Sequence, residues 1–336
     1  MNQNHFERLS PLFLLGIARS GTTLLQSLLD GHPQLLVDVA DSQYPRWYKH
    51  YHRWLNVLTS WPDTLEKRID KAESVLINHI FNEPSHYYQD FLSDISIAEL
   101  QATFRGLVRA SAATPKDFKE SYFHALGLAS KTLTGRTLYW VDKTLSYEYL
   151  FYRYHQWWPN ARFIHVVRDP RDVYTSYKKR DIKNNRKITS IDSFALVWHD
   201  SVRATMDCQR LIDPGKRCIL RYEDLVHNPE AAIHSIADFL GIDYLPDLLK
   251  PTKGFGKVPW GGNAESGKKQ NGIYHGAANK WRGGLSAEEV KQLESLLHHE
   301  MEFIGYPLFQ PARRYIALST KLWGRKKAFQ LLNLSL

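Results

Sequence analysis

The sequence predicts an α/β fold, a central parallel sheet flanked by helices, and three observations carry that expectation. Strand-length segments recur along the chain, the apolar runs Leu12–Ile17 and Phe163–Val167 and a further strand at 217–222, as in a buried parallel sheet. Each run leads into a turn and then a capped helical pattern, the alternation that places helices on both faces of a sheet. No apolar window approaches the roughly 20 residues a membrane span needs, so these runs are strands of a core.

Taken in order, PLFLLGI (11–17) is the first strand and GIARSGTT the turn after it. Thr22 to Asp30 carries leucines at 24, 25, 28 and 29, a helical stripe closed by Gly31 and Pro33. Residues 44–135 are rich in Tyr, Trp and His and broken by prolines at 45, 62, 84 and 115. VLINHIFN and IAELQATFRGLVRASAA keep helical spacing, so 44–135 reads as a mostly helical insertion, a cap or substrate wall over the sheet. RTLYWVDK (136–143) reads as a further strand. ARFIHVVRDPRDVYTSYKKR is strand, turn and helix, with Asp169 as N-cap and Pro170 at the first helical position. KRCILRYEDLVHNPEAAIHSIADFLGI repeats that arrangement, with Asn228 as cap, Pro229 after it and Gly241 at the end. LSAEEV offers a capping box of Ser286 with Glu289 and a Leu285/Val290 staple. Between these, 253–284 holds nine of the 19 glycines and several lysines. It reads as a mobile basic loop that folds over an anionic ligand. No internal repeat is present, and 1–336 reads as a single domain with a basic tail at 312–336.

Composition narrows the partners. The chain has 336 residues, of which 43% are hydrophobic, too many for a disordered chain. Its 44 Lys+Arg against 35 Asp+Glu give a net charge of +9, which favours anionic ligands. The basic residues mark the turns and the tail rather than interleaving with aromatics, so nucleic acid is not the expected partner. Two cysteines, Cys208 and Cys218, exclude a disulfide scaffold, and their spacing excludes a structural zinc site. The start lacks a basic and apolar leader, so the expectation is a soluble, cytoplasmic protein. The tail has six Lys/Arg and no acid. It reads as a final packed helix, or as a basic amphipathic helix that makes peripheral membrane contact.

The turn 16–23 carries the chemistry. Gly16 and Gly21 stand at the spacing of a phosphate-cradling P-loop, but Thr22 takes the place of its lysine and Arg19 comes three residues earlier. Ser20, Gly21, Thr22 and Thr23 supply backbone N–H groups and hydroxyls at a helix N-terminus, where an anion is stabilised. Arg19 adds a planar charge suited to bidentate phosphate contact. After the strand 163–167, Arg168 stands where a P-loop phosphotransferase has its metal-binding aspartate. Two devices of triphosphate chemistry are thus missing, and a small-molecule kinase using ATP is the weaker alternative. Arg168 emerges at the strand edge where open sheets bind ligands, and Ser176 follows on the same helix, a grip for a second phosphate.

The motifs PxxxxGxxRSGTTLL…HP, VDKT, FIHVVRDPRDVYTSY, RYEDLVHNP, and KW followed by LSAEE run in order from residue 11 to about 290. Together they resemble the sulfotransferase family, in the branch of bacterial and tyrosylprotein sulfotransferases. That resemblance implies a P-loop-like fold and PAPS (3′-phosphoadenosine-5′-phosphosulfate) as donor, with PAP as product and no metal. It implies that Arg19, Ser20, Gly21, Thr22 and Thr23 hold the 5′-phosphate and the transferring sulfuryl group. Arg168 and Ser176 would hold the 3′-phosphate, Tyr222 would contact the nucleotide, and Lys280–Trp281 would close over it. Lys143 matches a family lysine near the transferring group. The family's glutamate base falls nearest to Asp41 in ADSQY, with Asp38 as the rival; His32 belongs to the GHP turn. Asn279 replaces a family serine before KW. The implied acceptor is a hydroxyl, with a carbohydrate or small molecule favoured and a protein tyrosine as the alternative. Nothing in the residues points to an oligomeric state.

Overall fold

The computed structural model describes residues 6–39, 64–78, 95–145, 148–260 and 272–309. Five parallel strands form the central sheet: β1 (Ser10–Gly16), β2 (Leu35–Val37), β3 (Tyr139–Leu145), β4 (Arg162–Val167) and β5 (Arg217–Arg221). Their spatial order is β2-β3-β1-β4-β5. In the register at the middle of the sheet, Leu14 of β1 lies between Lys143 of β3 and Ile164 of β4.

The order fixes where a ligand can sit. From β1 the chain leaves towards β2 on one side, and from β4 it leaves towards β5 on the other. The crevice between the carboxyl ends of β1 and β4 is therefore the topological switch point, where open α/β sheets bind ligands. Each of the two turns that border it carries an arginine, Arg19 in 16–22 and Arg168 in 168–170.

Alternation along the strands divides the core. Leu12, Leu14, Val141, Ile164 and Val166 point to one face, packed against α1 (Thr22–Leu29), α8 (Tyr222–His227) and α9 (Pro229–Leu240). Phe13, Trp140 and Phe163 point to the other, under α3 (Ile97–Arg109), α4 (Pro115–Ala129) and α5 (Phe151–Trp157). The Phe13 ring stacks on Tyr154 at 4.2 Å between centroids, and Phe123 stacks on Trp140 at 4.4 Å. A third cluster joins α6 (Pro170–Lys183), α7 (Ile191–Leu211) and the late α11 (Ala287–Ile304) to the end of β4. Two further α-helices are α2 (Leu65–Glu73), continued by a π-helical turn at Ser74–Asn78, and α10 (Trp281–Gly284).

The described parts of 44–135 are helical. Their aromatic residues Phe104, Phe118, Tyr122 and Phe123 are buried in the core beneath the sheet. Three local expectations are corrected. β3 begins at Tyr139 rather than 136, because Thr134 and Thr137 close a turn on each other before the strand starts. β5 stops at Arg221, and Tyr222 instead opens α8. The glycine-rich stretch after 252 opens as a hairpin, β6 (Thr252–Lys253) with β7 (Val258–Pro259).

That hairpin does cradle an anion, but one from the chain itself. Gly254, Phe255 and Gly256 all have positive φ, and the amides of Phe255 and Gly256 donate to the Asp30 carboxylate at 3.0 and 2.8 Å. The Thr252 hydroxyl donates to the same carboxylate at 2.9 Å. The backbones cross so closely that a Cβ on Gly31 would meet the Gly256 Cα at 2.6 Å. The capping expectations at Asp169, Asn228 and Ser286 are all met, each side chain accepting from the first turn of its helix.

Candidate active site

The turn from β1 into α1 is shaped for a guest rather than for itself. Arg19 adopts a left-handed backbone, φ 73°, and Gly21 caps α1 at φ 106° with no side-chain cap to its amides. The first helical N–H groups therefore have no partner from a capping side chain. A Cβ at Gly21 would strike the Tyr222 ring at 2.2 Å, so only glycine lets that ring close on the turn. The Ser20 side chain is buried, and its Oγ has no hydrogen-bond partner. A buried, unpaired hydroxyl costs free energy unless a ligand satisfies it.

Across the crevice, the sequence-selected residues meet. Arg19 Nε donates to Ser176 Oγ at 2.7 Å, so the residues expected at two different phosphates are hydrogen-bonded to each other here. Arg168 donates to the carbonyls of Arg19 at 3.2 Å and Ala277 at 2.8 Å, and its guanidinium lies over the Tyr222 ring at 4.4 Å. Its Nε is buried without a partner. Lys143 Nζ donates to Thr23 Oγ1 at 3.0 Å, reaching α1 from the neighbouring strand, and Thr22 is buried beside it in sequence.

The electrostatics of this crevice are only partly compensated: Arg168 lies 3.7 Å from the Asp172 carboxylate and Arg180 pairs with Asp181 at 2.7 Å. The Arg19 side chain opens to solvent yet has protein around much of its guanidinium. That desolvation, followed by the charges of Arg168 and Arg180, lowers its pKa; Tyr177 and Tyr222 oppose the shift. Arg19, whose Nε donates to Ser176, thus sits in the field of two further guanidinium groups. An arriving anion relieves that repulsion.

A model described as the Sulfotransferase family matches residues 11–247. The chain belongs to the sulfotransferase family. It is 22% identical over 301 residues to protein-tyrosine sulfotransferase A of Caenorhabditis elegans, covering 87% of this chain and 66% of that one. It is 26% identical over 170 residues to the mouse carbohydrate sulfotransferase 4, covering 44% of this chain and 42% of that protein. Among solved structures it resembles the sulfotransferase domain of the Synechococcus PCC 7002 olefin synthase. There the TM-score is 0.59 at 22% identity, over 89% of this chain and 97% of that one. This likeness shows the fold.

Other expected residues of this sulfotransferase fall as follows. Asp41 lies outside the described residues. Asp38 is buried at the end of β2, where Oδ1 accepts from the Tyr122 hydroxyl at 2.9 Å. His32 accepts from the Gln34 amide through Nδ1, so Nε2 donates to the Asp243 carbonyl at 2.9 Å, a turn-locking role. Lys280 extends over the Tyr274 ring, 5.0 Å from its centroid. Trp281 is buried behind the 168–170 turn, with Arg171 stacked 4.3 Å from its ring and its amide donating to Asp172. Asp172 also accepts from the Asn279 amide at 2.7 Å, so one carboxylate sets the backbone of the whole 279–281 segment. Among the described residues no helix is long and apolar enough to cross a membrane.

Two site features escaped the sequence. Arg180, four residues after Ser176 and so on the same face of α6, lies over Tyr177 at 4.2 Å and adds its charge to the crevice. The i, i+4 spacing was its only trace. Glu223 accepts from the Asp169 amide at 3.1 Å and from the Tyr306 hydroxyl at 2.7 Å, bracing the turn that carries Arg168. Burial pushes its carboxyl up to about 7. Nothing in the sequence links positions 83 residues apart.

Proposed function

We propose that this sulfotransferase uses PAPS as donor and transfers its sulfuryl group to a hydroxyl of a carbohydrate or small molecule, releasing PAP. The observation that carries the proposal is the convergence of Arg19, Arg168 and Ser176 at the switch point, beside the buried, unpartnered Ser20 Oγ and Arg168 Nε. Those atoms fit a ligand with two separate anionic groups.

PAPS, when bound, supplies an activated sulfuryl group on a phosphate leaving group. The α1 amides with Ser20, Thr22 and Thr23 would hold the 5′ end, and Arg168, Ser176 and Arg180 the 3′-phosphate. Tyr222 would pack on the nucleotide, and Lys280 would close over it. Trp281 supports that closure from behind the turn. Arg19 would leave Ser176 to meet the charge that develops on the leaving phosphate, with Lys143 assisting from β3. In the transfer, an acceptor oxygen forms a bond to sulfur while the sulfur–oxygen bond to the phosphate breaks. The acceptor's proton passes to a carboxylate, Asp41 as the first choice and Asp38 as the second. Relatives named for tyrosine and for carbohydrate sulfation both match this chain, so protein tyrosine remains the second acceptor class.

Calorimetric titration with PAP and with Mg·ATP, on the wild type and on Arg168→Ala, tests the donor. PAP should bind and ATP should not compete, and the variant should weaken PAP by roughly 10- to 100-fold, the worth of a charge-assisted hydrogen-bond pair. A preference for Mg·ATP, or PAP binding indifferent to Arg168 in a variant that still melts cooperatively, sinks the proposal.

A further inference from the structure

The last two residues of α6 and the loop that follows it are exposed throughout. Residues 182–188, Ile-Lys-Asn-Asn-Arg-Lys-Ile, are exposed at every position. Their backbone is nonetheless pinned. The Arg186 amide donates to the Asp181 carbonyl at 2.8 Å, and the Asn185 amide to that of Ile182 at 3.1 Å. The Thr189 amide and hydroxyl both donate to the Asp181 carboxylate, and the Tyr174 hydroxyl donates to the Thr189 carbonyl. Asp181 is the one acid between 173 and 191, and Arg180 already engages it. The loop is a fixed protrusion whose side chains take no part in fixing it.

What the protrusion presents is specific. Ile182 is 60% exposed, the highest value among large apolar residues in the described parts, and Ile188 is 43% exposed. Between them stand Lys183, Arg186 and Lys187, and none has an ion-pair partner among the described residues. A solvated basic loop has no need of two outward isoleucines, and an acidic polymer offers them nothing to be buried in. An interface of lipid headgroups over acyl chains satisfies both kinds of side chain at once.

We propose that loop 182–188 docks this protein on an anionic lipid bilayer. Ile182 and Ile188 enter the interfacial region, and Lys183, Arg186 and Lys187 lie among the lipid phosphates. Lys183 is seven residues along α6 from Ser176, about 10 Å at helical rise. Docking there holds the crevice close to the bilayer surface, where an acceptor carried by a lipid or by a membrane protein is within reach.

Co-sedimentation of the full chain with phosphatidylcholine vesicles, with and without phosphatidylserine, tests this. Binding should require phosphatidylserine and weaken with salt. Replacing the three cations together (Lys183→Gln, Arg186→Gln, Lys187→Gln) should cut vesicle partitioning about a hundredfold, roughly fivefold for each charge. Ile182→Ser with Ile188→Ser should cut it about tenfold at constant charge. All five side chains are exposed, so near-ultraviolet circular dichroism should show both variants folded. Equal binding to neutral vesicles overturns the proposal. So does a triple variant that binds like the wild type, which would move membrane contact to another segment. An isoleucine variant with undiminished binding also overturns it, since the loop would then be a simple polyanion surface.

Discussion

Arg171 and Arg19 border the same crevice, and the protein treats them in opposite ways. Arg171 is buried, with Nε and one terminal nitrogen on Asp169, the other on Glu294 at 2.6 Å, and its plane against Trp281. Burial works against its charge, but the bonds and field of the two carboxylates prevail and its pKa is raised. Arg19 meets a serine hydroxyl and two like charges, and its pKa is lowered. An arginine that belongs to the fold is neutralised by the fold. Arg19 meets no carboxylate among the described residues, which separates it from Arg171 and also from Arg168 and Arg180 beside Asp172 and Asp181.

The largest test of this contrast is stability. Arg171→Met would leave Asp169 and Glu294 buried without their cation, at a cost of about 3–5 kcal/mol. Arg19→Met removes no ion pair and relieves repulsion, so its unfolding free energy should change by less than about 0.5 kcal/mol. Urea titrations of both variants make the comparison. Equal losses would mean that Arg19 is as structural as Arg171, and the distinction would fail.

Glu148 extends the contrast to the opposite charge. It sits just beyond β3, buried, with Ser201 Oγ at 2.9 Å and no cation paired with it among the described residues. Burial, with a smaller push from Asp200, raises its carboxyl to about 7. A carboxyl can answer the lack of a partner by keeping its proton, whereas an arginine cannot. The folded pKa lies above the unfolded one near 4.5, so the folded state holds the proton more tightly. That stability is fully present below pH 4.5 and is lost as pH rises through 7, about 3 kcal/mol across the window. Glu223, also near 7, acts in the same direction. Urea unfolding at pH 5 and pH 8 should show the wild type losing stability as pH rises. In Glu148→Gln about half of that loss should vanish. An unchanged loss in the variant would remove Glu148 from the account.

What the sequence made legible was local. The strand runs, the proline-and-cap starts at Asp169 and Asn228 and the capping box at Ser286 each occupy a few adjacent residues, and each appears in the structure. The two arginine turns were legible for the same reason, and the sheet order then brings them face to face. Contacts between distant segments left no pattern to read. Lys119 pairs with Asp142 in the core, ringed by Phe13, Phe123, Trp140 and Tyr154, where its sequence neighbours suggest an ordinary surface lysine. Asp30 and the 255–256 amides are more than two hundred positions apart. A glycine-rich stretch announces that an anion can be held; it does not say whose.

The finest test returns to Arg19, since its stability change should be small and its ligand effect should not. On the proposed reading, Arg19 must release the Ser176 hydroxyl, to which its Nε donates at 2.7 Å, before it meets the donor. Removing Arg19 therefore has two opposed consequences, the loss of a charge-assisted contact and the release of Ser176. The first is larger, because a phosphate would offer the guanidinium a full opposite charge, whereas the Ser176 bond has a neutral group at one end. Arg19→Met should weaken PAP by roughly 3- to 30-fold in calorimetry, less than Arg168→Ala, which also unties the Arg19 carbonyl and Ala277. Ser176→Ala should weaken PAP as well if the hydroxyl serves the ligand. If instead Ser176→Ala tightens PAP, the serine's task is to park Arg19 until the donor arrives, and the crevice is held closed by the same arginine that opens it.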